Sequence, residues 1–153
     1  MLMIKRLKQL RFLRNKVVLI TGGSEGIGKA LALEAARRGA VVVVAARNQE
    51  KLQEVADRCL ILAGRPSFAF KMDVTDPDQV DEVLDQIRHQ VGEIDVLINA
   101  AGLGMMDAVV DQSYATMHKM VTVNFLAAMY LSRCVAKQMM NQGYGAIINV
   151  ASL

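Results

Sequence analysis

The feature of this sequence that most constrains its fold is a short apolar run followed at once by a glycine-rich loop and a helix. Residues 17–20 (VVLI) are uninterrupted and apolar, as expected of a buried strand. The next residues are Thr21-Gly22-Gly23-Ser24-Glu25-Gly26-Ile27-Gly28, with glycines spaced G-x-x-x-G-x-G. Glycine permits a positive-φ turn and lets the backbone approach a pyrophosphate, which the free N–H groups of a helix start would bind. The loop therefore predicts a dinucleotide site, with a tight turn that binds no ligand as the alternative.

Strand and helix signals alternate along the rest of the chain. The run Val41–Ala46, four valines and two alanines, is typical of a strand covered on both faces. The predicted strands are residues 17–20, 41–46, 67–72, 94–98 and 145–150, and the predicted helices are residues 26–38, 49–62, 75–91 and 113–141. This pattern predicts an α/β fold: a doubly wound, Rossmann-like parallel sheet with helices on both faces and right-handed crossovers.

Apolar spacing within the helices predicts which side of each packs against the sheet. In the first helix, one face would carry Ile27, Ala30, Leu31 and Ala35. Near Thr75 the sequence Thr-Asp-Pro-Asp signals the start of the third helix, which then presents one apolar stripe. From residue 120 to residue 140 the last helix is apolar nearly all round, although three polar residues argue against a membrane span. We expect this helix to pack between the sheet and another subunit, which predicts a homo-oligomer.

The end of the sequence carries a prediction of its own. The fifth predicted strand ends three residues before Leu153, so no helix follows it. Such a strand would leave a sheet edge and apolar faces uncovered. We therefore expect a basic N-terminal extension, residues 1–15, and a dinucleotide-binding domain, residues 16–153, whose C-terminal strands and helices are missing.

The net charge of +3 is unevenly distributed. Residues 1–16 contain six basic groups and no acid, which leaves 12 basic and 15 acidic groups in residues 17–153. This mildly acidic body has no basic patch interleaved with aromatic residues, which argues against a nucleic-acid partner. Cys59 and Cys134 lack a CxxC pattern, so neither a disulfide framework nor a metal site is predicted.

The basic leader has no apolar run long enough for a signal peptide or a membrane span. We therefore expect a cytoplasmic protein. Leucine and phenylalanine among the cations of residues 1–14 make peripheral contact with an anionic membrane a second prediction. A solvated extension ahead of the fold is the alternative.

The residue after the second strand bears on the choice of nucleotide. NAD-binding folds carry an acid near this point that hydrogen-bonds the ribose, but here no acid lies between Glu34 and Glu50. Arg47 occupies the position instead and can pair with a 2′-phosphate in a bidentate manner. This favours NADP(H) over NAD(H), with a solvated arginine at a helix start as the alternative.

Four further stretches follow the loop and complete an ordered set of motifs. They are Asp73-Val74, Asn99-Ala100-Ala101-Gly102, Val121-Thr122-Val123-Asn124 and Ile147-Ile148-Asn149-Val150-Ala151-Ser152. Together with Thr21–Gly28 they resemble the short-chain dehydrogenase/reductase family over residues 16–153. In that family the loop binds the cofactor, the acid after the third strand contacts the adenine ring, and the Asn-Ala-Ala-Gly motif steadies the central sheet.

The resemblance also implies catalytic roles for two residues. Asn124 would hold a water in a proton relay, and Ser152 would hydrogen-bond the substrate carbonyl. Each matching residue also has a structural alternative: Asp73 as a helix cap, Asn99 as a turn residue, Asn124 as a buried polar residue and Ser152 as an ordinary loop serine.

The sequence departs from the family pattern at two points. Many NADP-preferring relatives carry a basic residue just before the second loop glycine, where this chain has Glu25. The family's catalytic Tyr-x-x-x-Lys is absent, because Tyr114, Tyr130 and Tyr144 are not followed by lysine four residues on. We therefore expect the chain to stop before its catalytic centre is complete, and residues 1–153 to show no useful turnover.

The resemblance implies an NADP(H)-dependent oxidoreductase that interconverts a carbonyl and an alcohol of a small molecule by hydride transfer. A nucleotide-binding pseudoenzyme or a dimerisation module without turnover is the alternative. Leu103, Met105 and Met106 are candidates for an apolar substrate wall, with ordinary loop packing as the alternative. Faint similarity to reductases of long-chain keto-sphingoid bases, together with the leader, suggests a lipid-like substrate.

Overall fold

The computed structural model describes residues 13–104 and 108–151 of the chain. The predictions made for most of the leader, for Met105 and Met106 and for Ser152 lie outside these residues. The strands are β1 (Val17–Thr21), β2 (Val41–Ala46), β3 (Ser67–Lys71), β4 (Val96–Asn99) and β5 (Ala146–Asn149). The helices are α1 (Gly26–Arg37), α2 (Gln49–Ala63), α3 (Pro77–Gln90), α4 (Tyr114–Val121) and α5 (Ala127–Gln142), with a 3-10 turn at Val109–Asp111 and a π-helical segment at Thr122–Leu126 between α4 and α5.

The five strands form one parallel sheet in the order β3-β2-β1-β4-β5. At its centre, Val18 of β1 lies opposite Val42 of β2 on one side and Val96 of β4 on the other. Because β1 has the next strand in sequence on one side and β4 on the other, the strand order reverses beside β1. The predicted doubly wound sheet is confirmed, and the reversal point is where such sheets bind ligands.

Each face of the sheet is covered by its own apolar core. One face packs Val18, Ile20, Val42 and Val44 against Ala32 and Ala36 of α1 and Leu52 and Val55 of α2. The other face packs Leu19, Val43 and Leu97 against Val80 and Ile87 of α3 and Leu131 and Val135 of α5. Burial of apolar surface on both faces explains why β1, β2 and β4 read as continuous apolar runs.

Local side-chain bonds fix where two of the helices begin. Asn48 caps α2 by accepting a hydrogen bond from the Lys51 backbone N–H, and Gly64 closes that helix in the left-handed conformation. Asp76, within the Thr-Asp-Pro-Asp signal, caps α3 by accepting from the Gln79 backbone N–H. Its apolar residues Val80, Val83 and Ile87 are buried, as the stripe predicts.

The predicted face of the first helix is partly wrong. Ile27 is 62% exposed, and Ala30 is exposed as well, whereas Ala35 is buried. The buried face of α1 consists of Gly28, Ala32, Ala35 and Ala36. The reason is steric: α1 starts so close to the turn at Gly22 that only glycine fits at residue 28, which turns the side of α1 with Gly28 inward.

The last helical region is more irregular than predicted. Its α-helical pattern changes to π-helical over Thr122–Leu126, and only one side of α5 is buried, through Ala127, Leu131, Val135 and Met139. The outward side exposes Phe125, Leu126, Met129 and Met140. None of the described helices is long and apolar enough to cross a membrane.

The edge strand β5 is the least covered part of the sheet. Ile147 packs against the core of one face, while Ile148 is 49% exposed. That further strands and helices belong to this domain stays a prediction.

Candidate functional site

The glycine loop occupies the carboxyl end of β1, beside the reversal of strand order. Gly22 has φ +66, and a Cβ there would lie 2.7–2.8 Å from backbone atoms of Ala100 and Ala101. A Cβ at Gly28 would overlap the carbonyl oxygen of Gly22. These contacts explain both glycines without reference to a ligand: the turn, the start of α1 and the segment after β4 are packed backbone against backbone.

A threonine hydroxyl joins the loop to the segment after β4. Thr21 is buried, and its Oγ1 accepts hydrogen bonds from the backbone N–H groups of Ala100 and Ala101, each at 3.3 Å. The Asn99–Gly102 motif is therefore held directly against the glycine loop. Two sequence motifs that are about 80 residues apart form one structural unit.

The start of α1 is open to solvent. Glu25 is the N-cap residue but makes no side-chain bond to its own helix. A Cβ built at Gly26 meets no atom within 4 Å among residues 13–104 and 108–151, and Ser24 is only half-buried. The first N–H groups of α1 therefore face a free surface, which is the geometry that binds phosphate at helix N-termini.

Asn99 links the central sheet to its edge. It is buried, and its Nδ2 donates to Asn149 Oδ1 at 2.8 Å, to Ser132 Oγ at 3.1 Å and, at 3.4 Å, to the Ala128 carbonyl. The backbone N–H of Val150 donates to the Asn99 carbonyl at 2.9 Å. These bonds connect β4 to β5 and to α5.

Asn124 lies in the π-helical segment and clamps the loop after β4. Its Oδ1 accepts from the Leu103 backbone N–H at 2.7 Å, and its Nδ2 donates to the Leu103 carbonyl at 2.9 Å. Thr122 marks the start of the segment by donating its hydroxyl to the His118 carbonyl at 2.8 Å. The sequence analysis missed this π segment, which is a kind of distortion often found at functional sites.

Asp73 and Val74 follow β3 at the same edge of the sheet. Asp73 Oδ1 accepts from the Thr75 backbone N–H at 3.0 Å and from its hydroxyl at 2.7 Å. Partial burial acts to raise the pKa of Asp73, but the hydrogen bonds from Thr75 and the charges of Arg47 and Lys119 outweigh it, so that the pKa is lowered. Asp73 is therefore ionised at neutral pH and lies within the electrostatic reach of Arg47.

The charged groups beside the loop include one ion pair that sequence reasoning missed. Arg47 is exposed at the end of β2 and forms no salt bridge with any residue that the structure describes. Lys51, in the first turn of α2, places its Nζ 2.8 Å from Glu25 Oε2. Only the opposite charges of the two residues hinted at this pairing, because 26 positions separate them in the chain.

The candidate residues that the structure describes lie at the carboxyl edge of the sheet or contact a segment there. They are the loop Thr21–Gly28, Arg47, Asp73, Val74, the motif Asn99–Gly102 and Asn124. Within residues 13–104 and 108–151, no group of three or more histidine, cysteine or acidic side chains is arranged to hold a metal ion.

A separate groove of about 570 Å³ lies between α3 and α5. Within it, the Tyr130 hydroxyl donates to Asp81 Oδ2 at 2.9 Å. This bond, together with burial, raises the pKa of Tyr130 to about 12. Tyr130 lies in this groove, between α3 and α5, and it is followed four residues on by Cys134 and not by lysine.

Comparison with known proteins places the chain in a family. The short chain dehydrogenase family model matches residues 16–153. An oxidoreductase of Staphylococcus saprophyticus is 34% identical over 141 residues, which cover 92% of this chain and 60% of that protein. The ketoacyl reductase HetN of a Nostoc species is 37% identical over 141 residues, covering 92% of this chain and 49% of HetN. A short-chain type dehydrogenase/reductase from Mycobacterium marinum superposes with a TM-score of 0.89 at 37% identity, over 95% of this chain and 59% of that one.

The chain belongs to the short-chain dehydrogenase family, which confirms the resemblance drawn from the five motifs. It spans about half to three fifths of the length of the relatives it matches.

Proposed function

We propose that this chain binds a nicotinamide dinucleotide across the carboxyl edge of its sheet, as the cofactor-binding part of an oxidoreductase that interconverts a carbonyl and an alcohol. The observation that carries the proposal is the open start of α1 directly after the glycine loop, where Glu25 makes no side-chain bond to the helix. In this arrangement the pyrophosphate would lie against the first N–H groups of α1, where the helix dipole favours negative charge. Residues 16–153 would then form the dinucleotide-binding domain and residues 1–15 an extension.

We infer that NADP(H) is preferred over NAD(H). The support is Arg47, exposed and without a salt-bridge partner among the described residues, at the strand end where an acid would otherwise bind the ribose. A guanidinium can make two parallel hydrogen bonds to a phosphate group. The ionised Asp73 lies farther along the same edge, in keeping with the adenine contact that the family resemblance implies.

Two residues of this chain are proposed to act on the reacting groups. When bound, the nicotinamide transfers the hydride. The Ser152 hydroxyl would hydrogen-bond the substrate oxygen and so orient the carbonyl carbon. Asn124 keeps one N–H hydrogen and one oxygen lone pair after binding Leu103, which suffices to hold the water of a proton relay. The family's Tyr-x-x-x-Lys, which residues 1–153 do not contain, would exchange the proton with that oxygen.

The remaining proposals concern partners. The outward face of α4 and α5, with Val121, Phe125, Leu126 and Met129 exposed, supports assembly into a homo-oligomer. We propose a small-molecule substrate. A lipid-like substrate and membrane contact through residues 1–14 rest on the sequence of the leader alone.

Titration of the purified chain with each cofactor tests the proposal. Because the chain has no tryptophan, the fluorescence of NADPH and NADH on binding can be followed directly. We expect NADPH to bind more tightly, and Arg47→Leu to weaken NADPH binding by about tenfold or more, the value of a charge-assisted phosphate contact, with NADH binding unchanged.

Arg58→Leu is the matched control, because Arg58 is an exposed arginine farther along α2. It should leave both affinities at the wild-type value. Equal affinity of the wild type for the two cofactors would contradict the NADP preference, and failure to bind either one would contradict the cofactor site.

A further inference from the structure

The ion pair between Glu25 and Lys51 joins the glycine loop to the first turn of α2 at the proposed cofactor site. Glu25 immediately precedes the second loop glycine, and its carboxylate turns away from its own helix to meet the Lys51 ammonium at 2.8 Å. The two side chains are 72% and 52% exposed, respectively. The pair therefore lies on the surface of the site and not within the core.

Lys51 is held close to Arg47. The Asn48 side chain accepts a hydrogen bond from the Lys51 backbone N–H at 3.0 Å, which fixes Lys51 in the first turn of α2. Arg47 directly precedes that cap. Arg47 thus follows the end of β2 and Lys51 lies in the first turn of α2, where it is paired with Glu25.

Both members of the pair are charged at neutral pH. The hydrogen bond from Lys51, followed by its charge, lowers the pKa of Glu25, and the same contacts raise the pKa of Lys51. Exposed ion pairs of this kind are weak, whereas a hydrogen bond from an ammonium to a doubly charged phosphate is stronger. The lysine stem is flexible enough to exchange one partner for the other.

We propose that the Glu25–Lys51 pair sets how strongly the chain discriminates between NADP(H) and NAD(H). Lys51 is a second ligand of the 2′-phosphate beside Arg47, and Glu25 competes with that phosphate for the ammonium. This inference rests on the proposed function, because it concerns the same cofactor site. In this proposal Glu25 weakens the binding of NADP(H), whereas a basic residue at the same position would strengthen it.

Titration of single and double variants with NADP+ and NAD+ in a calorimeter tests the competition. Glu25→Gln frees Lys51 and should tighten NADP+ binding about two- to fivefold, which corresponds to an exposed ion pair, while NAD+ binding stays constant. In the double variant Glu25→Gln/Lys51→Gln this gain should disappear. Lys51→Gln alone should weaken NADP+ binding less than it does in the Glu25→Gln background.

Asp85→Asn is the matched control. It makes the same change of net charge in another exposed ion pair, Asp85–Arg88 on α3, and should alter neither affinity. Unchanged NADP+ binding in Glu25→Gln would overturn the proposal. Tighter NADP+ binding that persists in Glu25→Gln/Lys51→Gln would overturn it too, because Glu25 would then act on the phosphate directly.

The two proposals fail in different ways. If the wild type binds neither cofactor, the proposed cofactor site is wrong, and if Arg47→Leu leaves the NADP+ to NAD+ ratio unchanged, the proposed role of Arg47 in the NADP(H) preference is wrong. If Arg47→Leu behaves as expected and Glu25→Gln does not change the ratio, only the role of the ion pair is wrong. Circular dichroism of every variant shows whether the fold is retained, as expected for substitutions of exposed side chains.

Discussion

Replacing Gly28 with alanine tests the backbone packing on which the site depends. Gly28 lies inside α1, where alanine is the better helix former by about 1 kcal/mol, so helix propensity alone predicts that the variant is more stable. The added Cβ, however, would overlap the Gly22 carbonyl. A backbone atom cannot rotate away as a side chain can, so the loop or the helix has to move.

Helix propensity and steric overlap change the free energy of unfolding in opposite directions, and their relative sizes decide whether Gly28→Ala is more or less stable than the wild type. Overpacking costs about 1–3 kcal/mol, and a rigid backbone neighbour places Gly28 at the upper end of that range. After the gain in helix propensity, we expect a net loss of about 2 kcal/mol. For a chain of this size such a loss lowers Tm by about 4–8 °C.

Thermal unfolding followed by circular dichroism at 222 nm measures the effect. Gly104→Ala is the matched control, because a Cβ at Gly104 meets no atom of the described residues within 4 Å and its backbone is not in the left-handed region. It should leave Tm unchanged or raise it slightly. A Tm for Gly28→Ala at or above the wild-type value would refute the packing of α1 against the loop.

Two further predictions concern side chains on the other face of the sheet. Asn124→Ala removes both bonds to Leu103, so the backbone amide of Leu103 should exchange with deuterium faster, while the amides of β1 keep their protection; equal protection at Leu103 would contradict the clamp. The raised pKa of Tyr130 means that its bond to Asp81 stabilises the fold below pH 10 and is lost as the pH rises through about 12. In a tyrosinate absorbance titration, Tyr130→Phe should therefore remove the increase in absorbance near pH 12. A loss of absorbance confined to the range near pH 10 would contradict this assignment.

The sheet was predictable because its strands are buried on both faces. Residues 41–46 carry only valine and alanine, and the predicted bounds of that strand agree with β2. The sequence analysis predicted a doubly wound sheet with right-handed crossovers but not the order of its strands, which the structure supplies. The prediction for Ile27 failed because helical periodicity cannot show how closely a helix start approaches a neighbouring turn.

The candidate site was predictable only where its residues belong to motifs. The loop, Arg47, Asp73 and the Asn99–Gly102 motif each begin at the end of a strand or within two residues of it, so the parallel sheet places them at one edge. Lys51 belongs to no motif, and its ion pair with Glu25 depends on the separation of α1 and α2, which apolar patterns do not encode.

The π-helical segment shows how a local departure from regular structure can serve the site. Each residue of an α-helix is rotated by about 100° from the one before, so a wider turn changes the direction of every side chain after it. In this chain the wider turn lies between α4, which has no buried residues, and α5, which buries one residue every four positions. Asn124 is the central residue of the π-helical segment and hydrogen-bonds Leu103, while Leu131 and Val135 of α5 pack on the sheet. A regular helix through the segment would turn α4 and α5 relative to each other, so it would not keep both contacts. The π turn therefore lets one continuous helical region cover the core and also hold the loop after β4 at the carboxyl edge of the sheet.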